Sequence, residues 1–117
     1  MTTPIGPYTS IVRAGDLLVV SGQVGVRDGA MVPGGVAAET RQAIDNIAAL
    51  LATEGASLAD VVKTTVFLRH MRDFALMNEA YAEIFGETRP ARSTVAVVEL
   101  PALALVEIEA WAYRPRS

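Results

Sequence analysis

An arginine and a glutamate near the C-terminus are the two residues whose types and spacing best suit chemistry. Arg92 opens an apolar strand in Pro90-Ala91-Arg92-Ser93-Thr94. Glu107 lies in the next one, Val106-Glu107-Ile108-Glu109-Ala110, beyond a turn at Leu100-Pro101. Charges inside apolar strands are costly unless they are paired, solvated or used. A guanidinium presents a planar fork that takes a carboxylate through two parallel N–H bonds, which lysine does less well. A partly buried glutamate with a raised pKa can move a proton or orient a water. The same two residues would also make a structural ion pair, and spacing alone leaves both uses open.

Other chemistry is narrowed by what the chain lacks. There is no cysteine and one histidine, His70, set in the loop-like Arg69-His70-Met71-Arg72 and expected to be solvated. A Ser-His-Asp triad is therefore not expected. Neither a disulfide framework nor a thiolate site can form, and no His/Asp cluster has metal-ligand spacing. Tyr8 follows the turn Ile5-Gly6-Pro7 and suits either an anchoring aromatic or a pocket lining. Ser21-Gly22-Gln23 ends an apolar strand, where Gly22 permits close approach of a ligand or of another backbone. Asn78 falls in a helical stretch, one turn after Phe74, where a solvent-facing or capping amide is the ordinary expectation. Glu79, Glu83 and Glu87 read as one solvated face.

These residues need a scaffold, and 117 residues make one domain, residues 1–117, with one modest core. Hydrophobic residues make up 51% of the chain and the mean hydropathy is +0.33, high for a small monomer that must keep a polar skin. The longest apolar runs, such as Leu17 to Val20, fall far short of the roughly 20 residues that span a bilayer, so burial in an oligomer is expected instead. With a net charge of −3 and no basic stripe, nucleic acid is not an expected partner. The N-terminus lacks a signal-peptide pattern, and the cytoplasm is the expected compartment.

Patterning predicts the order ββαβαββ, an α+β fold with two helices on one face of a sheet. Strands are expected near 11–13, 17–22, 61–69, 94–98 and 105–113, with a turn-rich segment at 27–35. A helix over 36–54 carries Val36, Thr40, Ala43, Ile44, Ile47, Leu50 and Leu51 on one stripe, with Gly55 just past its end. A second helix follows Asp73 as N-cap, with Phe74, Met77, Tyr81 and Ile84 inward and Gly86 closing it. In the last strand, alternation places Val106, Ile108, Ala110 and Ala112 under the helices. Glu107, Glu109, Trp111 and Tyr113 fall on the uncovered face, which suits a subunit interface containing a polar site. Arg92 and Thr94 share one face of their strand.

Ordered along nearly the whole chain, these segments resemble the reactive intermediate deaminase family, also called RidA or YjgF. The resemblance rests on Ile5-Gly6-Pro7-Tyr8, Ser21-Gly22-Gln23, Thr40-Arg41-Gln42-Ala43 with Asp45-Asn46, Val62 to Leu68, Asp73-Phe74 with Asn78, Pro90-Ala91-Arg92-Ser93, Leu100-Pro101 and Val106 to Ala110. It implies a chorismate-mutase-like fold, a homotrimer whose sheets close into a barrel, and pockets at the subunit interfaces. It also implies hydrolysis of enamines and imines such as 2-aminoacrylate and 2-iminobutanoate to 2-keto acids and ammonia, without a cofactor. In that family pattern Arg92 matches the arginine that holds the substrate carboxylate, and Glu107 matches the acid that positions or activates water. Tyr8, Ser21, Gly22, Asn78 and Thr94 match positions around the pocket. Thr94 stands where the best-studied branch often has cysteine, which leaves the subfamily open. Two alternatives stand beside this: a 2-keto acid binding protein without turnover, and a relative acting on a larger enamine or carbamate in a degradation pathway. A purely structural protein using Arg92 and Glu107 as a buried brace is a third.

Overall fold

Period-two alternation over Leu17–Val24 and Val106–Tyr113 produces two long strands, buried on one face and half-buried or exposed on the other. The computed structural model describes residues 4–116. In chain order its elements are β1 (Ile11–Ala14), β2 (Leu17–Val24), β3 (Val26–Arg27), β4 (Ala30–Met31), α1 (Gly35–Ala52), β5 (Val61–Leu68), α2 (Phe74–Phe85), β6 (Ala91–Ala96) and β7 (Val106–Tyr113). One sheet of five strands has the order β1-β2-β7-β5-β6. Only β5 and β6 run parallel, joined through α2, and the other pairs are antiparallel.

The expected order ββαβαββ thus holds, with one addition. The turn-rich segment contains the small hairpin β3–β4, whose central Asp28 and Gly29 both have positive φ (53° and 82°). That is the turn chemistry a two-residue hairpin requires.

The core lies between the sheet and the two helices. Leu18, Val20, Val66, Leu68, Val106 and Ile108 from the strands meet Ile44, Ile47, Leu51 and Met77 from the helices, all at 1% exposure or less. Every expected inward residue of α1 is buried, and so is Glu39, which the apolar periodicity did not mark. In α2, Phe74 is 39% exposed, Ile84 is half-buried, and Ala80 and Phe85 take inward places beside Met77 and Tyr81. Asp73 occupies the N-cap position of α2 without a side-chain bond, and Gly86 ends the helix at φ 60°. Because α2 ends at Phe85, Glu87 lies beyond it, and Glu83 pairs with Arg41 across to α1 at 3.1 Å. His70 is half-buried rather than fully solvated, at the start of the short turn Met71–Asp73.

The sheet's second face carries no helix. Cross-strand register groups Val12, Val19 and Trp111 there, with Glu107, Glu109, Phe67 and Val95. Trp111 remains 41% exposed and Val12 48%. Apolar side chains thus stand uncovered on this face.

Candidate active site

The site residues fall into two groups on opposite faces of the sheet. Strand β6 starts at Ala91, earlier than expected, so Arg92 lies within the ladder, beside Thr64. Thr64 registers with Ala110 on β7, on the helix-covered face. Glu107 registers with Phe67 and Val24 and points to the open face. Within one chain Arg92 and Glu107 are therefore separated by the sheet itself, and the intrachain brace is excluded.

The Glu107 group lines a cleft of about 440 Å³. At Ser21–Gly22 the β2–β7 register slips, a bulge that re-aims the strand beside Glu107. A Cβ on Gly22 would lie 2.6 Å from Glu107 Oε2, so glycine is the residue that leaves room for this carboxylate. Ser21 ties the segment bearing Tyr8 to β2: its N–H and its hydroxyl both donate to the Ser10 carbonyl, at 2.9 and 3.1 Å. Tyr8, Ile5, Val24, Val26, Pro101 and Ala102 complete the lining, which is mostly apolar. Burial raises the Glu107 pKa above the ordinary carboxylate range, and the neighbouring charge of Glu109 pushes it the same way. A carboxyl whose pKa is raised in this way is a stronger base than an exposed one and suits proton transfer.

The Arg92 group sits where β6 meets α2. The guanidinium carbon lies 4.9 Å from the centre of the Tyr81 ring and 5.7 Å from that of Phe74. Each such cation–π contact is worth about 0.5–2 kcal/mol and holds the fork in place. The Tyr81 ring is itself located by a 2.6 Å hydrogen bond between its hydroxyl and that of buried Thr64. Among the described residues Arg92 makes no ion pair. On the same two elements, Asn78 Oδ1 of α2 and Thr94 Oγ1 of β6 are buried without a hydrogen-bond partner. Leaving such atoms unpaired costs about 1–3 kcal/mol each, so the group has unused binding capacity around a free cation.

Tyr8, Ser21, Gly22 and Glu107 thus come together around the cleft, while Arg92 and Thr94 share one face of β6 and Asn78 lies on α2, next to Met77, which Arg92 reaches at 4.0 Å. The Phe74–Tyr81 cradle was not legible in advance, because both residues fit an apolar helical stripe equally well. Pro101 and Ala102 enter the cleft through a turn in which Ala102 and Leu103 adopt φ of 58° and 57°, a conformation their sequence does not advertise. Among the described residues no three His, Asp or Glu side chains converge to hold a metal ion. No helix there is long and apolar enough to cross a membrane.

Comparison with known proteins extends this geometry. The family model described as Endoribonuclease L-PSP matches residues 1–114. A RutC family protein of Pyrococcus horikoshii is 50% identical over 95% of this chain and 90% of its own length. The 2-iminobutanoate/2-iminopropanoate deaminase of Escherichia coli is 44% identical over 94% of this chain and 89% of its own. Among solved structures, Escherichia coli TdcF with bound serine superposes with a TM-score of 0.89 at 38% identity, covering 95% of this chain and 91% of that one. The match over nearly the full length, by sequence and by fold, shows that the chain belongs to the Endoribonuclease L-PSP family, the YjgF/RidA family, some of whose members are named imine deaminases.

Proposed function

We propose that this protein hydrolyses small 2-imino acids to 2-keto acids and ammonia, in sites completed between copies of the chain. The observation that carries the proposal is the division of the site. One face offers an unpaired arginine with unsatisfied polar neighbours, and the other offers a carboxyl in a cleft. A homotrimer in which the Arg92 group of one copy meets the Glu107 group of the next would unite them and cover the open apolar face. A relative named for this deamination, and a relative solved with a bound amino acid, support the same ligand class.

In the proposed reaction Arg92 takes the substrate carboxylate in its fork, with Thr94 and Asn78 beside it. An enamine substrate first tautomerises to the imine, whose C2 is electrophilic. Water held by Glu107 attacks C2, and Glu107 accepts the proton that water loses. Glu107 passes that proton to the imine nitrogen, giving the neutral carbinolamine; it then takes the proton of the new hydroxyl and delivers it to the amine nitrogen, so that the C2–N bond breaks, ammonia leaves and the carbonyl forms at C2. No cofactor is needed, because the imine is already the electron sink. General acid–base help of roughly 10²–10⁴-fold suffices for a substrate that also hydrolyses unaided. The cytoplasm is the proposed compartment. The word endoribonuclease in the family description finds less support: a chain of net charge −3 has little with which to hold a polyanion.

A second reading, action on a larger enamine or carbamate, is favoured by the size and apolar lining of the Glu107 cleft.

The test generates 2-iminobutanoate with a dehydratase in the presence of semicarbazide. Wild type should sharply reduce semicarbazone formation, whereas Arg92→Ala and Glu107→Ala alone should not. Trimers reassembled from an equal mixture of the two variants should regain about one quarter of the sites, since each interface then has an even chance of each intact half. Inactive wild type on this imine, with 2-keto acids still bound through Arg92, would leave the binding reading. Mixed trimers as inactive as either variant would rule out a shared site.

A further inference from the structure

One buried carboxylate, Glu39, stands outside both groups of site residues. It is 5% exposed on α1, and its Oε1 accepts the backbone N–H of Leu105 at 2.8 Å. Leu105 is the last residue of the segment linking β6 to β7, and it precedes Glu107 by two positions. Its carbonyl in turn accepts the N–H of Arg69, at 3.0 Å. At the other end of the segment the Val97 N–H donates to the Leu68 carbonyl at 2.8 Å. Between these ties the backbone carries the two consecutive left-handed residues Ala102 and Leu103, and Leu103 is 94% exposed. A strained conformation persists only where its surroundings over-determine it. Within the turn the Ala104 N–H donates to the Pro101 carbonyl at 3.1 Å, and the ties at the ends fix where this turn sits against the sheet.

The backbone of Glu39 also meets the opposite side of the cleft. A Cβ on Gly25 would lie 2.7 Å from Glu39 Cα and 2.9 Å from its carbonyl oxygen, so α1 and the β2–β3 corner are in direct contact there. Gly25 stands between Val24 and Val26, which line the cleft together with Pro101 and Ala102 of the segment that Leu105 ends.

We propose that Glu39 is a positioning residue of the Glu107 cleft: its hydrogen bond to the Leu105 N–H sets the start of β7 and the strained segment that forms one side of the site. The kinetic part of this inference rests on the imine hydrolysis proposed above, and the exchange part does not.

The experiment compares Glu39→Met, Glu39→Asp and Glu39→Gln in the assembled protein. Met keeps the volume and removes the acceptor. Asp keeps the charge and withdraws the acceptor by one methylene, and it carries the test if the Met variant does not fold. Gln keeps an acceptor in place. Amide hydrogen exchange at Leu105 and across residues 98–104 should speed up by roughly tenfold or more in Met and Asp and stay near wild type in Gln. With 2-iminobutanoate as substrate, kcat should fall by roughly tenfold in Met and Asp with KM changed less, because the Arg92 group is untouched; Gln should restore kcat. The inference is overturned if folded Met and Asp variants exchange and turn over like wild type, or if Gln is as impaired as Met. It is also overturned if exchange speeds up while kcat holds. If wild type itself fails to hydrolyse the imine, the functional reading falls, and the exchange comparison still decides whether Glu39 holds the segment.

Discussion

Replacing Gly22 by alanine tests the geometry of the Glu107 cleft with a single methyl group. The added Cβ would lie 2.6 Å from Glu107 Oε2, 2.7 Å from Cδ and 3.0 Å from Cγ. To reach ordinary contact at 3.4 Å the carboxylate must retreat by about 0.8 Å. Gly22 has no positive φ, so its backbone tolerates alanine and the cost is steric. The group that yields is the end of a flexible side chain. Stability should therefore drop by only about 1 kcal/mol, the overpacking penalty being offset in part by the stiffer unfolded chain. Function should suffer more. A misplacement near 1 Å in the group that holds the attacking water costs roughly 10²-fold in rate, or about 2.7 kcal/mol of transition-state stabilisation. Steady-state kinetics on 2-iminobutanoate, with melting curves as a control for folding, would measure both. The decisive comparison is made in the Glu107→Ala background, where the clash no longer exists and Gly22→Ala should have no further effect. Activity of folded Gly22→Ala within about threefold of wild type, or an equal loss in both backgrounds, would refute the reasoning.

Further outcomes follow from the charges and rings of the two groups. Glu107 must be ionised to accept the water's proton, so kcat/KM should rise with pH through its raised pKa; Glu109→Gln removes one of the raising charges and should move that acid limb to lower pH, and an unmoved limb would contradict the assignment. The folded state holds the Glu107 proton more tightly than the unfolded state does, so this group's contribution to stability declines as pH climbs from the ordinary carboxylate pKa to the raised one. Glu107→Gln should accordingly melt higher than wild type at neutral pH, with the gain vanishing in acid. Tyr81→Leu removes the nearer ring under Arg92 and should raise KM about tenfold, whereas Tyr81→Phe keeps the ring and should spare KM while losing about 1–2 kcal/mol of stability at Thr64; equal KM values for the two would deny the cradle its role. Trp111→Glu puts a charge in the middle of the uncovered face and should shift sedimentation from oligomer to monomer with loss of activity; an intact active oligomer would mean that this face is not the interface.

The order of elements, the inward stripe of α1 and the two faces of β7 were all legible in the residues, because apolar periods of 3.6 and 2 are local properties of a chain. Val106, Ile108, Ala110 and Ala112 are buried as their alternation requires. The family was equally legible, because its motifs are short and occur in order. Three features were decided only by the tertiary structure. Alternation within a strand says which side chains share a face, but not which face the helices cover in a neighbouring strand. Arg92 and Glu107 therefore looked like possible partners until the register placed them on opposite sides of the sheet. Phe74 fitted the apolar stripe of α2, yet it sits at the helix start, where the edge strand β6 leaves it beside a guanidinium instead of inside the core. Glu39 falls outside the apolar period of α1, which therefore does not mark it as buried. It becomes a buried carboxylate only because a distant backbone N–H, at Leu105, arrives to satisfy it.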